Sequence, residues 1–314
     1  MIESLESLKK NVHTVLTGKD QLVDYVFISL ICEGHLLMED VPGTGKTMLA
    51  KIIAQSIDGS FKRIQFTPDL LPSDVSGIKF FNPKTQSFEL NLGPVMTNVL
   101  LADEINRATP RAQSSLLEVM EERQVTIEGE TFAIEKPFLV IATQNPIESH
   151  GTFSLPEAQM DRFFMQISCG YPSFDEEREM LNLHRLGNPL EKIKPVIEKD
   201  RIVALQEQVK QIHLSDAVAH YLLEIVRATR STDWAANGVS PRGTLALMRS
   251  VQAKALISGR DYVVPEDVRS MAVPVLAHRL VLSMEGELHT TKQQIIEDVL
   301  EQTAVPVESG AQQE

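Results

Sequence analysis

The first 170 residues alternate short apolar runs with segments of helical period, and this alternation limits the possible folds more than any other feature. Helical segments begin after Lys46, Thr109 and Ser154. We expect Thr109 to cap a helix that has Pro110 in its first turn, and Ser154-Leu-Pro-Glu157 has the spacing of a capping box. The runs that we predict as strands are HLLME (35–39), FKRIQF (61–66), NVLLAD (98–103), PFLVIAT (137–143) and FFMQIS (163–168). Buried runs that alternate with helices are typical of a parallel sheet covered on both faces, so we predict an αβα sandwich.

The pattern changes near residue 170, where nearly every later segment has helical period. We therefore predict an α/β core over residues 1–170, followed over 171–195 by a linker and a first helix. A separate all-helical domain is predicted over 196–302, because its apolar positions repeat at helical spacing. Ser240-Pro241 and Pro265-Glu-Asp267 are its predicted helix starts. Residues 303–314 are polar, with Gly and Ser, and are expected to be disordered.

Charge and hydropathy narrow the possible functions. The chain has 314 residues, a formal net charge of -13 and no dense Lys/Arg run, which weighs against nucleic acid as the main partner. No apolar run approaches the roughly 20 residues of a membrane span, and the N-terminus lacks the apolar run of a signal peptide. Cys32 and Cys169 lie in apolar segments and give no disulfide framework. We therefore expect a cytoplasmic protein.

The stretch EDVPGTGKT (39–47) is similar to a phosphate-binding loop, except that Asp40 stands where the usual pattern has glycine. The loop follows a predicted strand and precedes a helix, so its N–H groups and the helix N-terminus could hold phosphates. Lys46 would contact the β- and γ-phosphates, and Thr47 would hold Mg²⁺. The nucleotide-binding residues predicted here are Pro42, Gly43, Thr44, Gly45, Lys46, Thr47 and Met48. A glycine-rich turn with a chance Lys-Thr is the alternative, and Asp40 is expected to shape the entry turn without touching phosphate.

Two acids follow the apolar run in NVLLADEINRA. Asp103 would bind the nucleotide-bound Mg²⁺ through its waters, and Glu104 would polarise the attacking water. In isolation, the pair could be two solvated acids at the end of a strand. Because it occurs together with the loop, we predict ATP hydrolysis with Thr47 and Asp103 as the metal-binding residues.

A third polar site ends the run LVIATQNP, at Gln144 and Asn145. Ligands of parallel sheets bind at the carboxyl ends of the strands, so an amide here could orient the attacking water beside Glu104. The alternative is a simple turn, because Asn-Pro is a strong turn signal.

Five segments together resemble the MoxR family of AAA+ ATPases, and the match spans about residues 10–300. They are EDVPGTGKT, LLADEINRA, VIATQNP, LPEAQMDRFF and VSPRG, and LLADEINRA and LPEAQMDRF are distinctive of that family. The resemblance implies ATP and Mg²⁺ as cofactors, with the helical domain as a lid. It also implies a ring, expected to be a hexamer, that remodels or assembles a protein client. Partners with a von Willebrand factor A domain, metal insertion and an Asp40-type loop are further traits of the family.

The same resemblance assigns roles to further residues. Asn145 corresponds to sensor 1, Arg162 to the arginine finger that completes the neighbouring subunit's site, and Arg242 to sensor 2 on the lid. A guanidinium suits the charge that phosphoryl transfer spreads over oxygens. The alternatives are a salt bridge from Arg162 to Asp161 or Glu157 and a helix-start cation at Arg242.

Three segments resemble family elements whose roles are less defined. VLTGK (15–19), with Gly18, matches the segment that packs near the adenine, although it could equally be a turn between helices. Residues 68–94 resemble the helix-2 insertion, and residues 123–135 a β-hairpin that turns at Glu128-Gly129. Both insertions could face the ring pore or a partner. Arg107 and Arg111 could face a neighbouring nucleotide.

Three other functions stay open. One is the motor subunit of a chelatase-like complex, which a tetrapyrrole substrate would identify. Another is nucleic-acid remodelling, which the acidic balance disfavours and which DNA-stimulated hydrolysis with a steep salt dependence would support. The third is a nucleotide-gated binding module without turnover, which an intact Glu104 disfavours.

Overall fold

A computed structural model describes residues 2–39, 43–145, 152–185, 187 and 189–306. The chain forms two compact units, and the boundary between them falls between Gln206 and Glu207. The first unit carries the sheet and the second unit is mainly helical.

The first unit alternates helices and strands as the sequence predicts. Its helices are α1 (Ile2–His13), α2 (Asp20–Ile31), α3 (Lys46–Ser56), α4 (Pro72–Ser76), α5 (Pro110–Glu122), α6 (Glu157–Met160), α7 (Phe174–Arg185) and α8 (Lys199–Val209), the last of which crosses the boundary. Its strands are β1 (Leu36–Glu39), β2 (Phe61–Gln65), β3 (Gly77–Asn82), β4 (Ser87–Leu92), β5 (Val99–Asp103), β6 (Gln124–Ile127), β7 (Glu130–Ala133), β8 (Leu139–Gln144) and β9 (Met165–Ile167).

The five predicted strands are confirmed, and in the described part of the chain they form one parallel sheet in the order β2-β5-β8-β1-β9. In this order β8 lies between β5 and β1. Strand β8, which ends in Gln144, therefore separates β1 from β5. Strand β1 leads to the loop, and β5 ends in Asp103, directly before Glu104.

Helices cover both faces of this sheet, because its central strands are apolar on both sides. On one face, Leu100 of β5 and Val140 of β8 belong to a cluster that includes Leu116 of α5. The alternate residues of β5, such as Leu101, are also buried, and α3 packs on that side against β2 and β5. This confirms the αβα architecture.

His35 fixes the sheet to α5 from the buried end of β1. Its Nε2 lies 3.0 Å from the Met120 carbonyl oxygen, and its Nδ1 accepts a hydrogen bond from the Val140 amide at 3.0 Å. Burial, reinforced by the nearby positive charge of Arg123, lowers the pKa of His35 to about 3. The imidazole is therefore neutral at physiological pH, and it stabilises the packing of the core.

Two helix starts differ in detail from the sequence prediction. Thr109 is the N-cap of α5, with Pro110 in its first turn as expected, but the Thr109 side chain makes no capping hydrogen bond. The capping box predicted from Ser154 to Glu157 is wrong. The short helix α6 begins at Glu157 with Pro156 as its N-cap, so Ser154 lies two residues before the cap.

Two β-hairpins extend from the first unit. Strands β6 and β7 pair antiparallel and turn at Glu128 and Gly129, both with positive φ, so the predicted hairpin over 123–135 is confirmed. The insertion over 68–94 contains α4 and a second antiparallel pair, β3 and β4. Four large apolar side chains on one face of this second pair are exposed: Phe81, Phe88, Leu90 and Leu92.

The second unit is built from four longer helices and a small strand pair. Its elements are α9 (Asp216–Ala228), β10 (Ala235–Asn237), α10 (Pro241–Ile257), α11 (Pro265–Leu276), β11 (Val281–Leu282), α12 (Met284–His289) and α13 (Lys292–Gln302). The predicted helix starts at Ser240 and Pro265 are confirmed. The Ser240 side chain accepts a hydrogen bond from the Gly243 amide, and Asp267 accepts one from the Val264 amide.

The observed boundary lies later than the predicted end of the core. Residues 171–206 belong to the first compact unit, whereas the sequence pattern separates a core over 1–170 from a linker and first lid helix. That finer division stays a prediction. The last helix ends at Gln302, as expected, and residues 307–314 of the predicted tail lie outside the described residues.

Candidate active site

The carboxyl ends of three parallel strands and the start of α3 surround a pocket of about 250 Å³. Its lining residues are Gly43, Lys46, Thr47, Arg63, Gln65, Asp103, Glu104, Thr143, Gln144 and Asn145. The structure thus brings together the three polar segments that the sequence singled out. They meet because the carboxyl ends of parallel strands share one edge of the sheet.

The loop before α3 has the backbone shape of an anion cradle. Gly43 and Gly45 both have φ of 88°, a left-handed conformation that strains other residues. A Cβ on Gly45 would lie 3.2 Å from Leu16, so the VLTGK segment sits directly beside the loop. Thr44 and Met48 belong to the same loop and first turn. Asp40 and Pro42 lie outside the described residues, so the expectations for them are untested.

Both carboxylate oxygens of Asp103 receive hydrogen bonds from neighbouring strands. The Thr143 hydroxyl on β8 donates to Oδ1 at 2.6 Å, and Arg63 on β2 donates to Oδ2 at 2.6 Å. These contacts fix the carboxylate at the edge of the pocket that Thr47 also lines. An acid held in this way would bind a magnesium ion through water, because Mg²⁺ usually keeps several of its waters.

Glu104 occupies a strained position directly after β5. Its φ of 56° and ψ of 49° are left-handed, which is uncommon for a residue other than glycine. Its amide donates to the Thr143 hydroxyl at 2.8 Å, and its Oε2 accepts from Gln65 Nε2 at 2.7 Å. Arg107 forms an ion pair with the same Oε2 at 3.0 Å. The sharp turn therefore aims this carboxylate into the pocket, where it can act on a water.

Asn145 and Gln144 follow β8 at the same edge. Asn145 is buried, and its carbonyl oxygen accepts a hydrogen bond from Asn106 at 3.5 Å. Both residues line the pocket beside Glu104. The sequence predicts an amide beside Glu104 that could orient an attacking water, and this geometry fits that prediction.

Sequence reasoning missed Arg63, Gln65 and Thr143. Arg63 and Gln65 alternate with buried Ile64 on β2, and Gln65 is in register with Asp103 on β5. Two polar residues at alternate positions, which therefore share one face of the strand, are the signal that could have identified them. Thr143 is the last fully buried residue of β8, and its hydroxyl is the only feature that distinguishes it from an apolar core position.

Four of the predicted site residues lie elsewhere. Arg162 does not line this pocket; it forms an ion pair with Glu121 on α5, an acid that the sequence prediction did not consider. Arg242 is an exposed residue in the first turn of α10 in the second unit. Gly18 lies in the turn between α1 and α2, against Glu176. Arg111 is exposed near the start of α5.

The residues of the pocket fit a magnesium nucleotide. The cradle supplies backbone N–H groups and Lys46 supplies positive charge for the phosphates. The Thr47 hydroxyl and the Asp103 carboxylate are the hard oxygen donors that Mg²⁺ prefers. Glu104 lines the same pocket as a carboxylate that could accept a proton from water, so the arrangement suits phosphoryl transfer to water.

Comparison with known proteins agrees with this geometry. Residues 35–165 match the model of the ATPase family associated with various cellular activities, and residues 227–299 match that of the AAA lid domain. A solved structure from Cytophaga hutchinsonii, described as a candidate ATPase, superposes with a TM-score of 0.92 at 36% identity, covering 98% of this chain and 96% of that one. Fold and site thus define an AAA+ ATPase with a helical lid domain.

Two relatives identify the branch. The uncharacterized protein YeaC of Bacillus subtilis is 46% identical, over 96% of this chain and 95% of its own length. Chaperone MoxR1 of Mycobacterium tuberculosis is 42% identical, over 97% of this chain and 83% of its own. The chain belongs to the MoxR family of AAA+ ATPases.

Proposed function

We propose that this protein is a Mg²⁺-dependent ATPase that assembles as a hexameric ring in the cytoplasm and remodels or assembles a protein client. The observation that carries the hydrolytic part is the meeting of Lys46, Thr47, Asp103 and Glu104 in one pocket. The chemistry needs a cation for the phosphates, oxygen ligands for the metal and a base for water. These four side chains supply all of them.

Each residue has a distinct part in this proposal. The N–H groups of the loop and the Lys46 ammonium bind the phosphates, and Thr47 and Asp103 hold Mg²⁺, which neutralises charge on the transferred phosphoryl group. Glu104 takes a proton from the attacking water, while the Asn145 amide orients that water. Arg242 acts as sensor 2 on the γ-phosphate. Gly18 contributes to the wall near the adenine.

The ring proposal rests on Arg162. Its side chain lies outside the pocket that holds the other catalytic candidates and is about one-third exposed. A guanidinium at this position would serve a nucleotide bound by another subunit. An arginine supplied in this way can raise the rate of hydrolysis by about 10³ to 10⁵.

The exposed apolar face of the β3–β4 hairpin supports the proposal that the client is a protein. One face of the hairpin exposes Phe81, Phe88, Leu90 and Leu92, and the two rings contact each other edge to face at 5.5 Å. An apolar surface of this kind marks a site of protein interaction. We propose that it binds an exposed apolar segment of the client, in keeping with the chaperone name of the Mycobacterium tuberculosis relative.

A partner with a von Willebrand factor A domain and a role in metal insertion complete the proposal. Their support is the family membership alone. Affinity capture tests both, with Glu104→Gln protein held in the ATP state as bait and Lys46→Ala protein as the matched control. Capture of a protein with an A domain only when ATP is present would support this partner. Capture of tetrapyrrole enzymes instead would favour a chelatase motor.

Two variants test the hydrolytic part. Glu104→Gln should bind ATP with unchanged affinity and lose turnover, because the amide cannot accept the proton of the attacking water. Lys46→Ala should lose ATP binding. Isothermal titration and phosphate release measure both, and normal turnover by Glu104→Gln would remove Glu104 from its role.

A mixing experiment tests the ring. Arg162→Ala subunits should bind ATP without turnover, and mixing them with Lys46→Ala subunits should restore part of the activity, since each lacks a different half of the shared site. In rings shown to contain both subunits, an absence of recovery would contradict a finger that acts between subunits.

A further inference from the structure

Arg162 is held at one corner by the C-terminal half of α5. Its Nη1 lies 2.5 Å from Glu121 Oε2 and also donates to the Leu117 carbonyl oxygen at 3.4 Å. Leu117 and Glu121 are one helical turn apart, so both acceptors lie on the same face of α5. The arginine is therefore fixed to that face by a charged contact and a backbone contact.

The opposite edge of the guanidinium is left for a ligand. Arginine has five N–H donors on three nitrogens, and within the described part of the chain the contacts of Arg162 to Glu121 and Leu117 both use Nη1. Arg162 lines an open pocket of about 310 Å³, together with Gln159 and acids of α5 that include Glu118 and Glu122. Nε and Nη2 present the planar pair of donors that binds a phosphate through two hydrogen bonds.

The helix that holds Arg162 is also anchored to the hydrolytic site of its own subunit. Near the start of α5, the buried Gln113 side chain donates to the Ile105 and Ala108 carbonyl oxygens, both at 3.1 Å. Ile105 directly follows Glu104 in the chain, and Ala108 lies three residues further on. One helix thus connects the segment of the catalytic glutamate with the base of the arginine.

We propose that Glu121 is a positioning residue for Arg162, which fixes one corner of the guanidinium and aims its other edge at the nucleotide of the neighbouring subunit. The inference rests on the proposed role of Arg162 as an arginine finger. A long arginine side chain has many rotamers, and a finger that must find its orientation at each turnover loses rate. Glu121 would restrict Arg162 to one orientation without touching the nucleotide itself.

Three variants and one double variant test this role. Glu121→Ala should lower kcat by about 10- to 100-fold and leave the affinity for ATP within about twofold, because orientation affects the reaction and not binding. Glu121→Gln keeps an acceptor for Nη1 and should retain more activity than Glu121→Ala. Glu118→Ala removes an acid that lines the same pocket but, among the described residues, forms no ion pair with Arg162. It is the matched control, with turnover expected within about twofold of the parent.

The double variant shows whether Glu121 acts through Arg162. In the Arg162→Ala background, Glu121→Ala should have no further effect, because the group that it positions is gone. In rings mixed with Lys46→Ala subunits, Glu121→Ala subunits should regain activity, since the intact finger comes from the other subunit. If Glu121→Ala does not fold, Glu121→Leu, which also lacks an acceptor for Nη1, carries the same cycle.

The outcomes separate the two proposals. Normal turnover by Arg162→Ala would remove the finger itself and this inference with it. Loss of turnover by Arg162→Ala together with normal turnover by Glu121→Ala would overturn the positioning role alone. An equal loss in Glu118→Ala, or an additive loss in the double variant, would also overturn it, since either result means that Glu121 acts through the general charge of the pocket.

Discussion

Gln65 Nε2 donates a hydrogen bond to Glu104 Oε2 at 2.7 Å, so an amide at the end of edge strand β2 holds the proposed general base. Arg63, two residues earlier, contacts both Gln65 Oε1 and Asp103 Oδ2. Asp103 at the end of β5 and Glu104 directly after it are therefore linked through a pair of β2 side chains. Their orientations depend on each other, and β2 is part of the catalytic architecture.

Gln65→Leu should lower kcat by about tenfold while ATP affinity stays within about twofold, because Glu104 loses a donor that fixes its carboxylate. Leucine keeps the size of the side chain and removes only the amide. Phosphate release and equilibrium binding of a fluorescent nucleotide separate the two effects. Gln208→Leu, an exposed position on α8, is the control. Unchanged kcat in Gln65→Leu would show that Arg107 alone is sufficient to hold Glu104.

Thr143→Val should destabilise the first unit by about 1–3 kcal/mol, because it leaves the Glu104 amide without its acceptor and Asp103 Oδ1 without its donor. The hydroxyl is buried and makes both contacts at once, at 2.8 Å and 2.6 Å. Thr143→Ser keeps the hydroxyl and is the matched control. Urea denaturation followed by circular dichroism measures the loss, and phosphate release should fall in parallel. Equal stability of the valine and serine variants would contradict a bridging role for Thr143.

The fold and the main acids of the site were predictable because they depend on local patterns. Fully apolar runs between helices require a parallel sheet, and the polar residues that end those runs must meet at its carboxyl edge. Asp103 ends such a run, Glu104 directly follows it, and Asn145 follows the next run after Gln144. Their convergence with Lys46 therefore needed no knowledge of the strand order.

The supporting side chains were not predictable, because their roles depend on pairing between distant strands. The roles of Arg63 and Gln65 can be recognised only once β2 is known to pair with β5. The role of Thr143 can be recognised only once β8 is known to pair with the other side of β5. The contact between Arg162 and Glu121 joins residues 41 positions apart in the sequence through the packing of α5. The failed capping box at Ser154 shows the converse, since its spacing was right but Pro156 begins the helix.

Substitution of the apolar face of the β3–β4 hairpin should impair client binding and leave the ATPase intact. Phe81→Ser with Phe88→Ser removes the two rings, which are half and two-thirds exposed. We expect affinity for a permanently unfolded probe, reduced and carboxymethylated α-lactalbumin, to fall at least about tenfold, because contact with exposed apolar surface is lost. Asn91→Ser, an exposed position on the other face of β4, is the control. Equal probe affinity for both variants would exclude this face as the binding site, whereas basal phosphate release should not change in either.

The buried His35 should make the stability of the first unit depend on acid pH. Burial lowers the pKa of His35 to about 3, against an ordinary value near 6.5 in the unfolded chain. The unfolded state therefore binds a proton that the folded state refuses, so the stabilisation is complete above about pH 6.5 and declines as the pH falls towards 3. The slope of the unfolding free energy against pH from this one group approaches about 1.4 kcal/mol per pH unit.

His35→Gln should lower stability at pH 7, because Val140 and Met120 lose well-placed partners, and should flatten the slope between pH 6 and 4. His213→Gln, an exposed imidazole in the second unit, should leave the slope unchanged. Urea denaturation at a series of pH values measures all three proteins. A parallel decline of His35→Gln and the parent would assign the acid sensitivity to other groups.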